Sequence, residues 1–113
     1  MNGMPPIPEI SVTEARDRLA GANPPRFIDV REIEEYEIAR IAGAELLPLS
    51  QWPALAAEKL ADPGQALLIH CHHGRRSGNA TEFLLRNGYS NVTNVAGGID
   101  AWSLEIDPSI PRY

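Results

Sequence analysis

The 113-residue sequence contains a single cysteine, Cys71, so no internal disulfide can form. That excludes a secreted framework held by disulfides and makes a reducing compartment, by default a bacterial-type cytoplasm, the expected location. Long apolar runs are scarce too: Ala66-Leu67-Leu68-Ile69 is among the longest, which leaves neither a membrane span nor a signal-peptide core. There are no internal repeats, linkers or low-complexity stretches. Positive charge is in deficit, with a formal net charge of −5, so neither nucleic acid nor an anionic membrane surface is an expected partner. The remaining composition, 43% apolar and 22% charged, is too hydrophobic for a disordered chain and sufficient for one core.

The few positive charges are unevenly placed. All three histidines, with Arg75 and Arg76, fall within residues 70–76, a stretch free of acidic residues that contains Cys71.

Residues 1–8 hold three prolines without periodicity and read as an extended arm. Ser11-Val12-Thr13-Glu14 has capping-box spacing ahead of a short helix ending near Gly21. Phe27-Ile28-Asp29-Val30 is too apolar for a solvent face and predicts a central strand. Over 32–41, Ile33, Tyr36, Glu37 and Ile41 recur at helical intervals, with acidic residues near the positive end of the helix dipole. A short strand is expected over 44–49. Ser50 then predicts the cap of a helix through Leu60, with Pro53 in its first turn. Residues 66–70 predict the clearest strand, followed by a loop-like stretch over 71–77. Ala80, Phe83 and Leu84 share one face of the next helix, which Gly88 closes. Val92-Thr93-Asn94-Val95 predicts the last strand, Ala96-Gly97-Gly98 a turn, and 99–102 a final helical segment, with a proline-containing tail that wraps or frays.

Strands separated by helical segments require right-handed crossovers. The expected fold is a single α/β domain over 1–113, with a central parallel sheet of about five strands and helices on both faces. Its core runs over about 10–104, between the arm at 1–8 and a tail at 105–113.

Binding sites in open α/β sheets gather beyond the carboxyl ends of strands, where Cys71 stands. Backbone N–H groups leading from that strand end into a helix can turn inward around the sulfur, and Gly74 permits the curvature. A helix N-terminus and neighbouring cations favour a nucleophilic thiolate, with His72, His73, Arg75 and Arg76 as the candidate sources of the field. The plain alternative is a small buried apolar residue after a strand. Cations in a helix's first turn oppose its dipole, and an anionic ligand resolves that conflict. Arg76 is the favoured ligand, Arg75 fits either that role or a solvated one, and His72 and His73 each fit a loop or a substrate-facing role. His70 reads as a hydrogen-bonded structural histidine. Three adjacent residues do not easily converge on one ion, so no metal is expected.

The segment Cys71-His72-His73-Gly74-Arg75-Arg76-Ser77 resembles the active-site loop of single-domain rhodaneses, C-x-x-G-x-R-S. Asp29-Val30-Arg31 followed by Glu35-Tyr36 is similar to the family's D-V-R-x-x-x-E-[FY]. Ile41-Ala42-Gly43-Ala44 is similar to its I-x-G-A, and Gly97-Gly98-Ile99-Asp100-Ala101-Trp102 to its G-G-[IFM]-x-A-W. These segments occur in the family's order. The resemblance implies a rhodanese-like α/β fold and a sulfurtransferase without a cofactor. Cys71 would attack the outer sulfur of thiosulfate or another sulfane donor and become a persulfide. It would then pass the sulfur to cyanide or a thiol, with thioredoxin or a sulfur-carrier protein among the possible acceptors. Catalysis is assigned to Cys71, and substrate binding to His72, His73, Gly74, Arg75, Arg76 and Ser77.

One departure stands before Ile41, where the family often has Gly-His and this sequence has Ala39-Arg40. A changed local hydrogen bond is expected there, with an added positive charge if Arg40 faces the site. Asp29 and Arg31 read as a structural ion pair. A related phosphatase or arsenate reductase would need C-x5-R, but the sixth position after Cys71 is Ser77 and the arginine comes one residue earlier. A module that binds a partner or senses redox state through Cys71 is the other alternative.

Overall fold

A computed structural model describes residues 6–113. Among them, strands β1 (Glu9–Ile10), β2 (Arg26–Asp29), β3 (Glu45–Leu46), β4 (Leu67–His70) and β5 (Val92–Val95) alternate with helices. The helices are α1 (Val12–Leu19), α2 (Ile33–Ile38), α3 (Ala54–Lys59), α4 (Arg75–Arg86) and α5 (Gly98–Glu105). Every strand pair is parallel and the order is β1-β5-β4-β2-β3, so β4 lies at the centre with all its residues buried. No helix among the described residues is long and apolar enough to cross a membrane.

The period-two pleat sorts the core into two layers. Leu67, Ile69 and then Cys71 join Ile28, Val30, Ala56, Ala80 and Leu84, under α3 and α4. Leu68 joins Val12, Ala15, Phe27, Ile99 and Trp102, under α1 and α5. Each fully buried aliphatic side chain in these layers contributes about 1.5–3 kcal/mol. The same alternation turns the side chain of Cys71 toward the face that α4 covers.

Several expectations are corrected. An edge strand not expected from the sequence, Glu9–Ile10, follows the arm, and the Pro8 carbonyl at the arm's end accepts from the Asn94 N–H at 2.9 Å. The arm's residues 1–5 lie outside the described residues. Helix α2 stops at Ile38 rather than Ile41, because Ala39 turns extended and its carbonyl accepts from Arg31 Nη2 at 2.7 Å. Strand β3 is two residues long, although the Leu47 and Leu49 amides still reach the carbonyls of Asp29 and Val30. Ser50 does not cap α3, whose preceding residue is Pro53; it lies in a 3-10 turn, and its hydroxyl donates to Glu32 at 2.6 Å. Helix α4 begins at Arg75, so the loop after β4 is only residues 71–74, and Arg75, Arg76 and Ser77 occupy the first helical turn.

The Gly97-Gly98 pair is more than a turn. Helix α5 starts against the cysteine loop, where the Ile99 N–H donates to the Cys71 carbonyl at 2.9 Å and the Asp100 N–H to the His72 carbonyl at 3.1 Å. Gly98 has φ +56°, and a Cβ there would lie 2.3 Å from the Cys71 carbonyl oxygen and 2.6 Å from that of His72. Only glycine lets these two backbones meet. Gly98→Ala is therefore expected to lower stability by about 3 kcal/mol, from backbone strain plus overpacking. Urea denaturation checks this, and a loss below about 1 kcal/mol would contradict the close approach.

Candidate active site

Strand β4 delivers Cys71 to the N-terminus of the twelve-residue helix α4. Gly74, with φ +107°, reverses the chain so that its N–H donates to Cys71 Sγ at 3.1 Å. The Ser77 hydroxyl, in the first turn of the helix, donates to the same sulfur at 3.3 Å. Both contacts present hydrogen to sulfur, and the helix dipole adds positive potential at the same point. The loop is braced from behind by Asn94, whose Nδ2 donates to the Gly74 carbonyl at 3.1 Å and to Glu9 Oε2 at 2.8 Å.

Arg76 makes a two-point contact with Glu35, at 2.6 and 2.8 Å. This holds the Glu35 carboxyl down at about 2, against partial burial and with help from the Glu32 N–H and the Tyr113 hydroxyl. The contact takes one N–H from each terminal nitrogen of Arg76, leaving its other donors for an anion. The Tyr113 hydroxyl donates to Glu35 at 2.9 Å and accepts from Arg31 Nη1 at 2.9 Å. Arg31 in turn pairs with Asp29 at 2.7 Å, both side chains fully buried.

The histidines separate. His70 is fully buried beside Asp29, with Nδ1 3.3 Å from the Cys71 carbonyl and no partner for Nε2. Burial pushes it below the usual imidazole range against the pull of Asp29, so it is neutral. His72 is stacked between His73 and Tyr113, each ring 3.9 Å away. His73 is exposed. The fold also brings Asp100 to them, all three ligand atoms lying within 4.8 Å of one another. The stacked histidine rings cannot direct in-plane lone pairs at one ion, however, and Asp100 is paired with Arg112 at 2.9 Å.

Arg75 is exposed and lines an open groove of about 420 Å³ with Glu9, Asn79, Glu82 and Asn94. Arg40 lies over the Tyr36 ring at 4.5 Å. The structure thus groups Cys71, Gly74 and Ser77 at the sulfur, sets Arg76 beside them on Glu35, and leaves His73 and Arg75 at the rim. Sequence reasoning missed Glu35, Asn94, Asp100 and Tyr113 as partners of the loop. Glu35 had a signal in the D-V-R-x-x-x-E stretch; Tyr113 had none.

The family model for the rhodanese-like domain matches residues 11–105. The chain belongs to this family. The rhodanese-like/PpiC domain-containing protein 12, chloroplastic, of Arabidopsis thaliana is 36% identical over 114 residues, covering 96% of this chain and 38% of that protein. The putative sulfur carrier protein YrkF of Bacillus subtilis is 36% identical over 97 residues, covering 86% and 51%. This rhodanese-like chain therefore spans about half or less of these curated relatives. The human single-domain sulfurtransferase TSTD1 superposes with a TM-score of 0.73 at 30% identity, covering 87% of this chain and 96% of that one.

The Glu35–Arg76 pair of this rhodanese-like domain makes a pH prediction. The folded value of Glu35, about 2, lies below its ordinary 4.5, so the folded state binds fewer protons. The resulting stability is complete above pH 4.5 and disappears as the pH falls to about 2. With side chains 20% and 36% exposed, solvent screening limits it to about 1–2 kcal/mol. Glu35→Gln is expected to flatten the fall in stability across that window, followed by urea midpoints against pH. An unchanged acid limb would contradict the pairing.

Proposed function

We propose that this domain is a sulfurtransferase that carries a sulfane sulfur on Cys71, from thiosulfate or another sulfane donor to cyanide or a thiol. The supporting observation is the convergence of the Gly74 N–H and the Ser77 hydroxyl on the Cys71 sulfur, at the positive end of α4. Such donors stabilise negative charge on sulfur, which the reaction develops twice.

In the first step the Cys71 thiolate attacks the outer sulfur of thiosulfate. A bond forms between Sγ and that sulfur, the S–S bond of thiosulfate breaks, and sulfite leaves with the electron pair. The free N–H groups of Arg76 hold the departing oxyanion, and Glu35 fixes the guanidinium in place. In the second step cyanide or a thiolate attacks the outer persulfide sulfur. Thiocyanate or a new persulfide departs, and the Cys71 thiolate returns to its two donors. No external oxidant or reductant is consumed.

Loop size favours this reading over phosphoryl chemistry, since a turn of four residues encloses one sulfur atom rather than a tetrahedral group. The names of the relatives, a sulfur carrier and a single-domain sulfurtransferase, support a thiol or sulfur-carrier protein among the acceptors, alongside thioredoxin. A free thiol nucleophile is best preserved in a reducing compartment such as the cytoplasm.

Thiocyanate formation from thiosulfate and cyanide tests the proposal. Cys71→Ser is expected to abolish it. Ser77→Ala should lower kcat/KM by about tenfold, the scale of one hydrogen bond to a charged atom. Arg76→Ala should lower it far more than replacement of the exposed Arg16. Turnover surviving Cys71→Ser, or equal small effects at Arg76 and Arg16, would contradict the assignment.

A further inference from the structure

Cys71 is only 1% exposed, although the proposed chemistry brings both a donor and an acceptor to its sulfur. Tyr113 packs against the loop that carries Cys71. Its ring stacks on His72, the residue after the cysteine, at 3.9 Å and 8°. Its hydroxyl accepts from Arg31 and donates to Glu35, each at 2.9 Å. Glu35 grips Arg76 at 2.6 and 2.8 Å. Tyr113 thus links the residue after the cysteine to the Glu35–Arg76 pair. It is 38% exposed.

The segment carrying Tyr113 is pinned to the body. The Ser103 hydroxyl donates to the Ile110 carbonyl at 2.6 Å, Ile110 is buried, and Arg112 pairs with Asp100 at 2.9 Å. None of these anchors restrains the ring itself. Its own restraints are the stacking contact with His72, two hydrogen bonds to charged groups and the Arg31 guanidinium 5.7 Å from the ring centroid, strong enough to favour the closed position and weak enough to be broken in turnover.

We propose that Tyr113 is a size gate on Cys71: closed, it admits small donors such as thiosulfate, and a bulky thiol acceptor reaches the sulfur only when the ring swings away. Burial, the largest effect, pushes the Tyr113 phenol up to about 12, so the hydroxyl keeps its proton for Glu35 throughout the neutral range. The identity of the reagents rests on the sulfurtransferase reading. The gating is a property of access to the thiol alone.

Because Cys71 is the only thiol in the chain, alkylation reports on it without ambiguity. Rates with iodoacetamide, a small reagent, and with fluorescein maleimide, a bulky one, are compared in the full chain and in Tyr113→Ala and Tyr113→Phe. Tyr113→Ala is expected to raise the maleimide rate by about tenfold and the iodoacetamide rate by less than about threefold, as the open population grows. Tyr113→Phe, which keeps the ring and loses both hydrogen bonds, should give an intermediate ratio. The same ratio of rates in all three proteins overturns the gate. If Tyr113→Ala fails to fold by circular dichroism, Tyr113→Phe decides, and a ratio equal to that of the parent chain overturns it. No sulfur donor is present, so a shifted ratio stands even if thiocyanate formation fails. Conversely, an unshifted ratio with normal thiosulfate turnover removes the gate alone.

Discussion

The carboxyl edge of the sheet is organised around one buried cation, Arg31. Its side chain has no exposure, and a guanidinium withdrawn from water is tolerable only when its donors all find acceptors. Asp29 at the end of β2 accepts from Nε and Nη2, the carbonyl of Ala39 just past α2 accepts from Nη2 as well, and the Glu35 carbonyl and the Tyr113 hydroxyl accept from Nη1. A single charge thereby fixes where α2 stops. Removing either member of the Arg31–Asp29 pair would strand the other, a cost of about 3–5 kcal/mol.

From this buried centre the polar chain runs outward through Tyr113 and Glu35 to Arg76, and ends beside Cys71. The loop is further constrained by Asn94, which holds the Gly74 carbonyl, and by backbone packing, where the first amides of α5 hold the carbonyls of Cys71 and His72. With those carbonyls tied back, the loop presents the Gly74 N–H to the sulfur. The rhodanese-like motifs around Asp29, Cys71 and Gly97 meet at this edge, through the Glu35–Arg76 pair and the amides of Ile99 and Asp100.

Features set by short-range chemistry could be read from the sequence. The apolar run of β4, the lone cysteine after it, the glycine three residues on and the cationic turn are all local, and they located the centre of the sheet and the candidate site. The boundaries that failed depended on distant partners. Helix α2 ends early because Arg31 takes its carbonyls, and Ser50 leaves the expected cap for Glu32. The edge strand at Glu9–Ile10 is too short to carry a period and exists through pairing with β5. Tyr113 lies 82 positions from Arg31, so no spacing rule reaches it. Gly98 looked like turn chemistry, whereas its requirement comes from a backbone that approaches from another part of the chain.

The central claim is that Cys71 carries the transferred sulfur as a persulfide, and intact-mass spectrometry addresses it most directly. Reduced protein is incubated with thiosulfate, freed of small molecules, measured, and measured again after cyanide. The account predicts a gain of one sulfur atom located at Cys71, absent from Cys71→Ser and removed by cyanide with recovery of the original mass. A Cys71 that gains no sulfur under these conditions would contradict it.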